Sequence, residues 1–213
     1  MDEAITAEID KAVGVLRGGG VIAFPTDTLF GLGADVFSTL AVNRIFSIKS
    51  RPAGMAMPVL LGSPEHISKV TTDISMVGRR LMERFWPGPL TLVVKRSADL
   101  PQEVAGGGDT VAVRMPDHPV ALAIAQGLGG PITGTSANIS GEDNPTSWTE
   151  LAQIFGNTVD LVLTGGPTPS GQASTVVDLT TSTPTLVRAG ALDTASIEAV
   201  CKLSSIPSVR ASQ

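Results

Sequence analysis

The stretch Gly18-Gly19-Gly20-Val21-Ile22-Ala23-Phe24-Pro25 decides the fold class. Ahead of it, Ile5, Ile9, Val13 and Leu16 recur at helical spacing, and the glycines stop that helix. Val21 to Phe24 is a short unbroken apolar run closed by a proline, the pattern of a strand buried on both faces. A helix delivered by a glycine turn into such a strand is the basic unit of an α/β sheet.

Working outward, Ser38 is placed to cap a second helix with Ala41, Ile45 and Ile48 inward, and that helix delivers Lys49-Ser50-Arg51-Pro52 at its end. Strands are expected at 57–61, 90–94, 111–114, 159–163, 174–179 and 185–187, with another starting at Ile132 and running into a polar turn over 133–138. Further helices carry Val77, Leu81 and Phe85, open at His118-Pro119, start at Trp148, and hold Ile197, Val200 and Cys201. Residues 164–174 read as a mobile loop. The expected whole is one domain over 1–203, with a disordered tail over 204–213. Its fold class is α/β, a twisted, open, mixed sheet with helices on its faces.

Composition narrows the function. The chain has 213 residues, 42% of them hydrophobic, enough for a real core. No run approaches the ~18 consecutive apolar residues of a membrane span, and the acidic N-terminus is unlike a signal peptide. A soluble, cytoplasmic protein with no membrane partner is expected. Cys201 is the only cysteine, so neither an internal disulfide nor a cysteine-rich metal site is available. A net charge of −5, no Lys or Arg between Arg114 and Arg188, and only six Phe, two Trp and no Tyr argue for weak or no direct nucleic-acid binding.

No P-loop, dinucleotide fingerprint or zinc-protease motif is present. Gly134-Thr135-Ser136-Ala137-Asn138 is a poor nucleophile elbow, with Asn where the second glycine belongs and only His66 and His118 as possible bases. What remains is a set of polar residues at strand ends: Thr26, Thr28, Lys49, Arg51, Thr110, Arg114, Ser136, Asn138, Ser174 and Arg188. Ligands bind at the carboxyl ends of strands in open α/β sheets, and the four cations in this set suit an anion. Each residue also has a plainer reading. Lys49 and Arg51 complement a helix dipole, Arg114 pairs with an acid such as Asp117, Arg188 is a solvated surface charge, and Ser136 and Asn138 form a turn.

Taken in order, the pieces resemble the YrdC family, the threonylcarbamoyl-adenylate synthases. The resemblance runs from Gly20 to Gly190. It is carried by Pro25-Thr26-Asp27-Thr28-Leu29-Phe30-Gly31-Leu32-Gly33, Lys49-Ser50-Arg51-Pro52, Phe85-Trp86-Pro87-Gly88-Pro89-Leu90-Thr91, Thr110-Val111-Ala112-Val113-Arg114-Met115-Pro116, Ser136-Ala137-Asn138-Ile139-Ser140-Gly141, Ser174-Thr175-Val176-Val177-Asp178 and Arg188-Ala189-Gly190. It implies a large concave, positively charged cavity. It also implies a reaction of L-threonine, bicarbonate and ATP, with Mg²⁺, that gives threonylcarbamoyl-AMP and pyrophosphate. The partner implied is a threonylcarbamoyl transferase complex acting on tRNA.

Residue by residue, the resemblance assigns Lys49 and Arg51 to catalysis and the ATP phosphates, and Thr110, Ser136, Asn138, Asn144 and Arg188 to the ATP side. Thr28, Arg114 and Ser174 are assigned to threonine. Phe30 stands where many relatives have Tyr, and Leu60 where some have His. The chain stops soon after Arg188-Ala189-Gly190, which resembles the short, single-domain members. The competing readings are an RNA-binding module of the same fold without synthase activity, and a carbamoyl-transfer domain of the hydrogenase-maturation type, which belongs in much longer chains.

Overall fold

Val21 and Ala23 face one apolar cluster, Ile22 and Phe24 face another, and all four are buried. A strand sandwiched between two layers requires that alternation. The computed structural model describes residues 3–52 and 54–205 and builds its layers around this strand. In chain order the first half runs α1 (Glu3–Arg17), β1 (Ile22–Phe24), β2 (Gly31–Gly33), α2 (Thr39–Ile48), β3 (Val59–Leu60), α3 (Met76–Phe85), β4 (Leu90–Lys95) and β5 (Thr110–Arg114). The second half adds α4 (Pro119–Leu128), β6 (Ile132–Thr133), β7 (Thr135–Ser136), α5 (Trp148–Phe155), β8 (Leu161–Val162), β9 (Thr175–Asp178), β10 (Thr185–Arg188), α6 (Thr194–Glu198) and β11 (Ser204–Ser205).

The mixed α/β architecture is as expected, but the strands divide between two mixed sheets. One has the order β7-β2-β1-β8, the other β11-β10-β9-β4-β5-β3-β6. β1 runs antiparallel to β2 and parallel to β8, while β4 runs antiparallel to β5 and parallel to β9. α1 and α4 cover the smaller apolar cluster, and α2, α3, α5 and α6 contribute to the larger. Helix ends follow the local chemistry. Ser38 accepts from the Ala41 N–H, and α4 begins at Pro119 and ends at Gly129, whose φ of 79° suits a residue without a β-carbon.

β2 is the strand that the sequence pattern conceals. Gly-Leu-Gly shows no alternation, yet the glycines are what allow the pairing. A β-carbon on Gly33 would come within 2.8 Å of the Phe24 ring. The sheets meet where β6 and β7, separated by Gly134 alone, belong to different sheets. Thr133 fastens this crossing: its N–H donates to Ala34 O at 2.9 Å, and its hydroxyl accepts from Ala34 N at 2.9 Å and donates to Leu32 O at 3.2 Å. A β-carbon at Gly134 would collide with the Leu60 side chain.

Two expectations about irregular segments change. Ser204 and Ser205 pair in parallel with Thr185 and Leu186, so the predicted tail begins as an edge strand; the remainder of it, 206–213, lies outside the described residues. Residues 164–174 form no regular element but are tied down along their length. Thr164 donates to the Glu8 carboxylate, and Pro167 O lies 3.0 Å from His118 Nε2. The Ser170 and Gly171 N–H groups donate to Asp27 O and Thr28 O at 3.1 and 2.9 Å.

Candidate active site

A cavity of about 260 Å³ opens where the two sheets meet. The larger sheet supplies Leu60, Thr91, Ala112, Arg114 and Val176, the smaller supplies Gly31, Thr135 and Ser136, and Gly134 stands at their junction. Arg188 comes from the end of β10 in the larger sheet, and loops add Thr26, Thr28, Arg51 and Ser174. Six of the expected site residues therefore come together: Thr28, Arg51, Arg114, Ser136, Ser174 and Arg188. Among the described residues no carboxylate lines the cavity, and three guanidinium groups face it.

Arg114 ends β5 and is 5% exposed. Its partner is Asp27, not Asp117: Nη1 donates to Asp27 Oδ1 at 2.8 Å, and Nη2 donates to Thr26 Oγ1 at 3.3 Å. Burial lowers the guanidinium pKa and Asp27 works against that shift. Two of its five N–H groups are used, so Nε and one hydrogen on each Nη remain for a ligand. Thr26 also donates to Leu29 O at 2.7 Å and lies 3.1 Å from the Thr28 hydroxyl, which fixes this turn under Arg114.

A second network lies beside Arg114 on the same sheet. Ser174 Oγ lies 2.8 Å from Thr91 Oγ1, and Arg188 donates through Nε and Nη2 to Ser174 O at 3.2 and 2.9 Å. Arg188 is exposed, but it is anchored to the cavity wall. Arg51 donates through Nη2 to Ala56 O at 2.7 Å, while its buried Nε has no hydrogen-bond partner among the described residues. Leu60 and Phe30 both line the cavity, and the Phe30 ring meets Trp148 edge-on with centroids 4.7 Å apart.

Four expected residues are not among the cavity-lining ones. Thr110 begins β5 on the same face as Ala112 and Arg114, and so extends their row beyond the cavity. Asn138 spends its side chain inside its own turn, accepting from Ser136 Oγ at 2.7 Å and donating to Glu142 O at 2.7 Å. Asn144 Oδ1 is buried without a hydrogen-bond partner among the described residues. Lys49 is 1% exposed, and its Nζ donates to Ser136 O, to Asn138 O at 2.6 Å and to Asn138 Oδ1 at 3.1 Å.

The sequence reading missed Asp27 and Thr91 as site residues. Asp27 was detectable in principle, since a buried Arg needs an acid and Asp27 lies in the turn just after the doubly buried strand. Neither histidine serves Ser136 as a base: His118 is bonded to Pro167 O, and His66 Nδ1 accepts from Gly62 N at 3.4 Å. Among the described residues no three His, Cys, Asp or Glu side chains gather as a metal cage requires. No helix among them is long and apolar enough to cross a membrane.

Burial, reinforced by the nearby Arg51 charge, pulls the Lys49 pKa from its ordinary 10.5 down to about 8. Between those values the unfolded chain holds a proton that the folded one has released, so this residue makes stability rise with pH, by up to about 1.4 kcal/mol per unit. Cys201, whose pKa burial raises, acts in the opposite sense above its ordinary 9.0. The difference in unfolding free energy between the native protein and Lys49→Met should therefore climb from about pH 8 upward, as urea melts would record. Parallel pH profiles for the two proteins would contradict the depressed value.

Two mixed sheets meeting at a polar, cation-lined cavity define a mixed α/β domain with a candidate pocket at its junction. The model of the Sua5/YciO/YrdC family, described as telomere recombination, matches residues 14–190, and the chain belongs to that family. The threonylcarbamoyl-AMP synthase of Pyrococcus abyssi is 43% identical over 193 residues, covering 91% of this chain and 57% of the relative. That of Bacillus subtilis is 39% identical over 194 residues, covering 91% and 56%. The structure of P. abyssi Sua5 complexed with L-threonine matches with a TM-score of 0.88 at 42% identity, over 92% of this chain and 58% of the other. The chain spans a little over half the length of these relatives.

Proposed function

We propose that this chain is an L-threonylcarbamoyladenylate synthase that forms threonylcarbamoyl-AMP and pyrophosphate from L-threonine, bicarbonate and ATP, for the threonylcarbamoyl-adenosine modification of tRNA. The observation that carries the reading is the convergence of Arg51, Arg114 and Arg188 with Thr28, Ser136 and Ser174 on one carboxylate-free cavity. It is supported by family membership and by relatives that bear the synthase name.

Threonine and bicarbonate supply an N-carboxylate, with loss of water, and one of its oxygens attacks the α-phosphorus of ATP as pyrophosphate leaves. That nucleophile is already anionic, so the site's task is to neutralise charge and hold the partners in line rather than to remove a proton. Arg114, Thr28 and Ser174 take the threonine end. Arg51 and Arg188 take the phosphates, with Ser136 and Thr110 on the nucleotide side, and the unpartnered Asn144 Oδ1 offers an acceptor to a nucleotide N–H. Asn138 and Lys49 act from behind the wall. Mg²⁺ is proposed to enter with ATP as the MgATP substrate.

The partner proposed is a threonylcarbamoyl transferase complex, and the setting is the cytoplasm. A net charge of −5 disfavours the RNA-binding alternative, which a gel shift at physiological salt tests directly. The decisive experiment incubates the protein with ATP, L-threonine and bicarbonate and follows pyrophosphate and the adenylate by chromatography. Pyrophosphate should appear only when both co-substrates are present. Release at an equal rate without threonine would make the protein a plain nucleotide pyrophosphatase.

A further inference from the structure

Lys49 and Arg51 are separated by one residue, yet they lead to different places. Ser50 lies between them with φ of 49°, a left-handed turn that costs a non-glycine residue about 1 kcal/mol and sends the two side chains apart. Arg51 lines the cavity; Lys49 does not. An ammonium has three N–H groups, and the Lys49 Nζ has three acceptors: Ser136 O, Asn138 O and Asn138 Oδ1. None of its hydrogens is left for a ligand.

The same residue holds that segment a second time, because the Ser140 N–H donates to the Lys49 carbonyl at 2.9 Å. Inside the segment, Asn138 Oδ1 also accepts from Ser136 Oγ, and Asn138 N donates to Ser136 O at 3.0 Å. Residues 136–140 are thus wound around one buried cation, and Ser136 is the member of the group that reaches the cavity. A buried charge without a carboxylate is costly, and here carbonyl dipoles alone answer it.

We infer that Lys49 is a positioning residue: its ammonium sets the shape of residues 136–140, and with it the cavity wall at Ser136, without touching the ligand. The assignment of that wall to nucleotide rests on the proposed synthase reading; the Lys49 network does not. Arginine is a poor replacement, because a planar fork does not deliver three hydrogens to acceptors gathered around a point.

The test measures amide hydrogen exchange of the ligand-free protein alongside the steady-state kinetics of adenylate formation. In Lys49→Met and Lys49→Arg alike, protection of the Asn138 and Ser140 amides should fall by about tenfold or more while β4 and β5 keep theirs. The KM for ATP should rise more than kcat falls, and adding Asn138→Ala to Lys49→Met should cost almost nothing further. If Lys49→Met does not fold, Asn138→Ala, which deletes an acceptor and keeps the lysine, must itself lower protection at Ser140. Unchanged exchange over 136–140 combined with lost ATP binding, or full ATP binding by Lys49→Arg, would overturn the inference in favour of direct phosphate contact. A native protein that binds no ATP would defeat the synthase reading instead, and the exchange data would still decide the role of Lys49.

Discussion

Arg114→Ala should destabilise the protein by about 3–5 kcal/mol, because it leaves the Asp27 carboxylate in the protein wall without its counter-charge. For a chain of this size that corresponds to a drop in melting temperature of about ten degrees or more. Changing Asp27→Asn in the same protein should recover part of the loss, since the stranded charge is then gone. Arg114→Lys separates the structural duty of this residue from its proposed ligand duty. Lysine can still neutralise Asp27 but loses the two parallel hydrogen bonds of the fork, so threonine binding should weaken by roughly 1–2 kcal/mol while ATP binding changes little. Calorimetric titration of each ligand, with a melt on the same sample, checks this. Unchanged threonine affinity, or equal losses for both ligands, would rule out a two-bond grip of Arg114 on the threonine carboxylate.

Arg51→Ala is expected to cut adenylate formation by about ten- to a hundredfold, the roughly 1.5–3 kcal/mol of a charge-assisted contact, with little effect on the fold. The buried Nε without a partner motivates both halves of that statement. A donor already stripped of water gains from a phosphate oxygen, and its removal leaves nothing in the folded protein unsatisfied beyond Ala56 O. Burial also lowers the pKa of this guanidinium, a cost that an incoming anion relieves. Kinetics with ATP as the varied substrate, beside a thermal melt, give the answer. Full turnover with unchanged ATP affinity would remove Arg51 from the phosphate site.

Much of the scaffold follows from local chemistry that a sequence displays. The Ser38 cap, the Pro119 start and the doubly buried β1 stand where side-chain periodicity and turn residues put them. The partition into two sheets does not. It depends on β2, three residues with two glycines, where the Phe24 ring on the neighbouring strand leaves room for no β-carbon at Gly33. It also depends on the register between residues about a hundred positions apart, such as Leu32 and Thr135. The site shows the same division. Residue types at strand ends suggested an anion pocket, and six of the expected residues line one cavity. That Lys49 is sealed behind the wall, and that Arg114 leans on Asp27 rather than Asp117, are facts of burial and approach that no spacing encodes.

The junction at Gly134 has a mechanical meaning. One side of the cavity belongs to the smaller sheet and the other to the larger, and Thr133 is the rivet between them. A ligand that touches Ser136 on one side and Arg114 on the other would bridge both sheets, so its fit depends on the tilt at which the junction holds them. Residues behind the cavity wall, Leu32 among them, set that tilt through packing and hydrogen bonds rather than through the cavity surface. The tilt between the sheets is thereby set by different residues from the three arginines that give the cavity its positive lining.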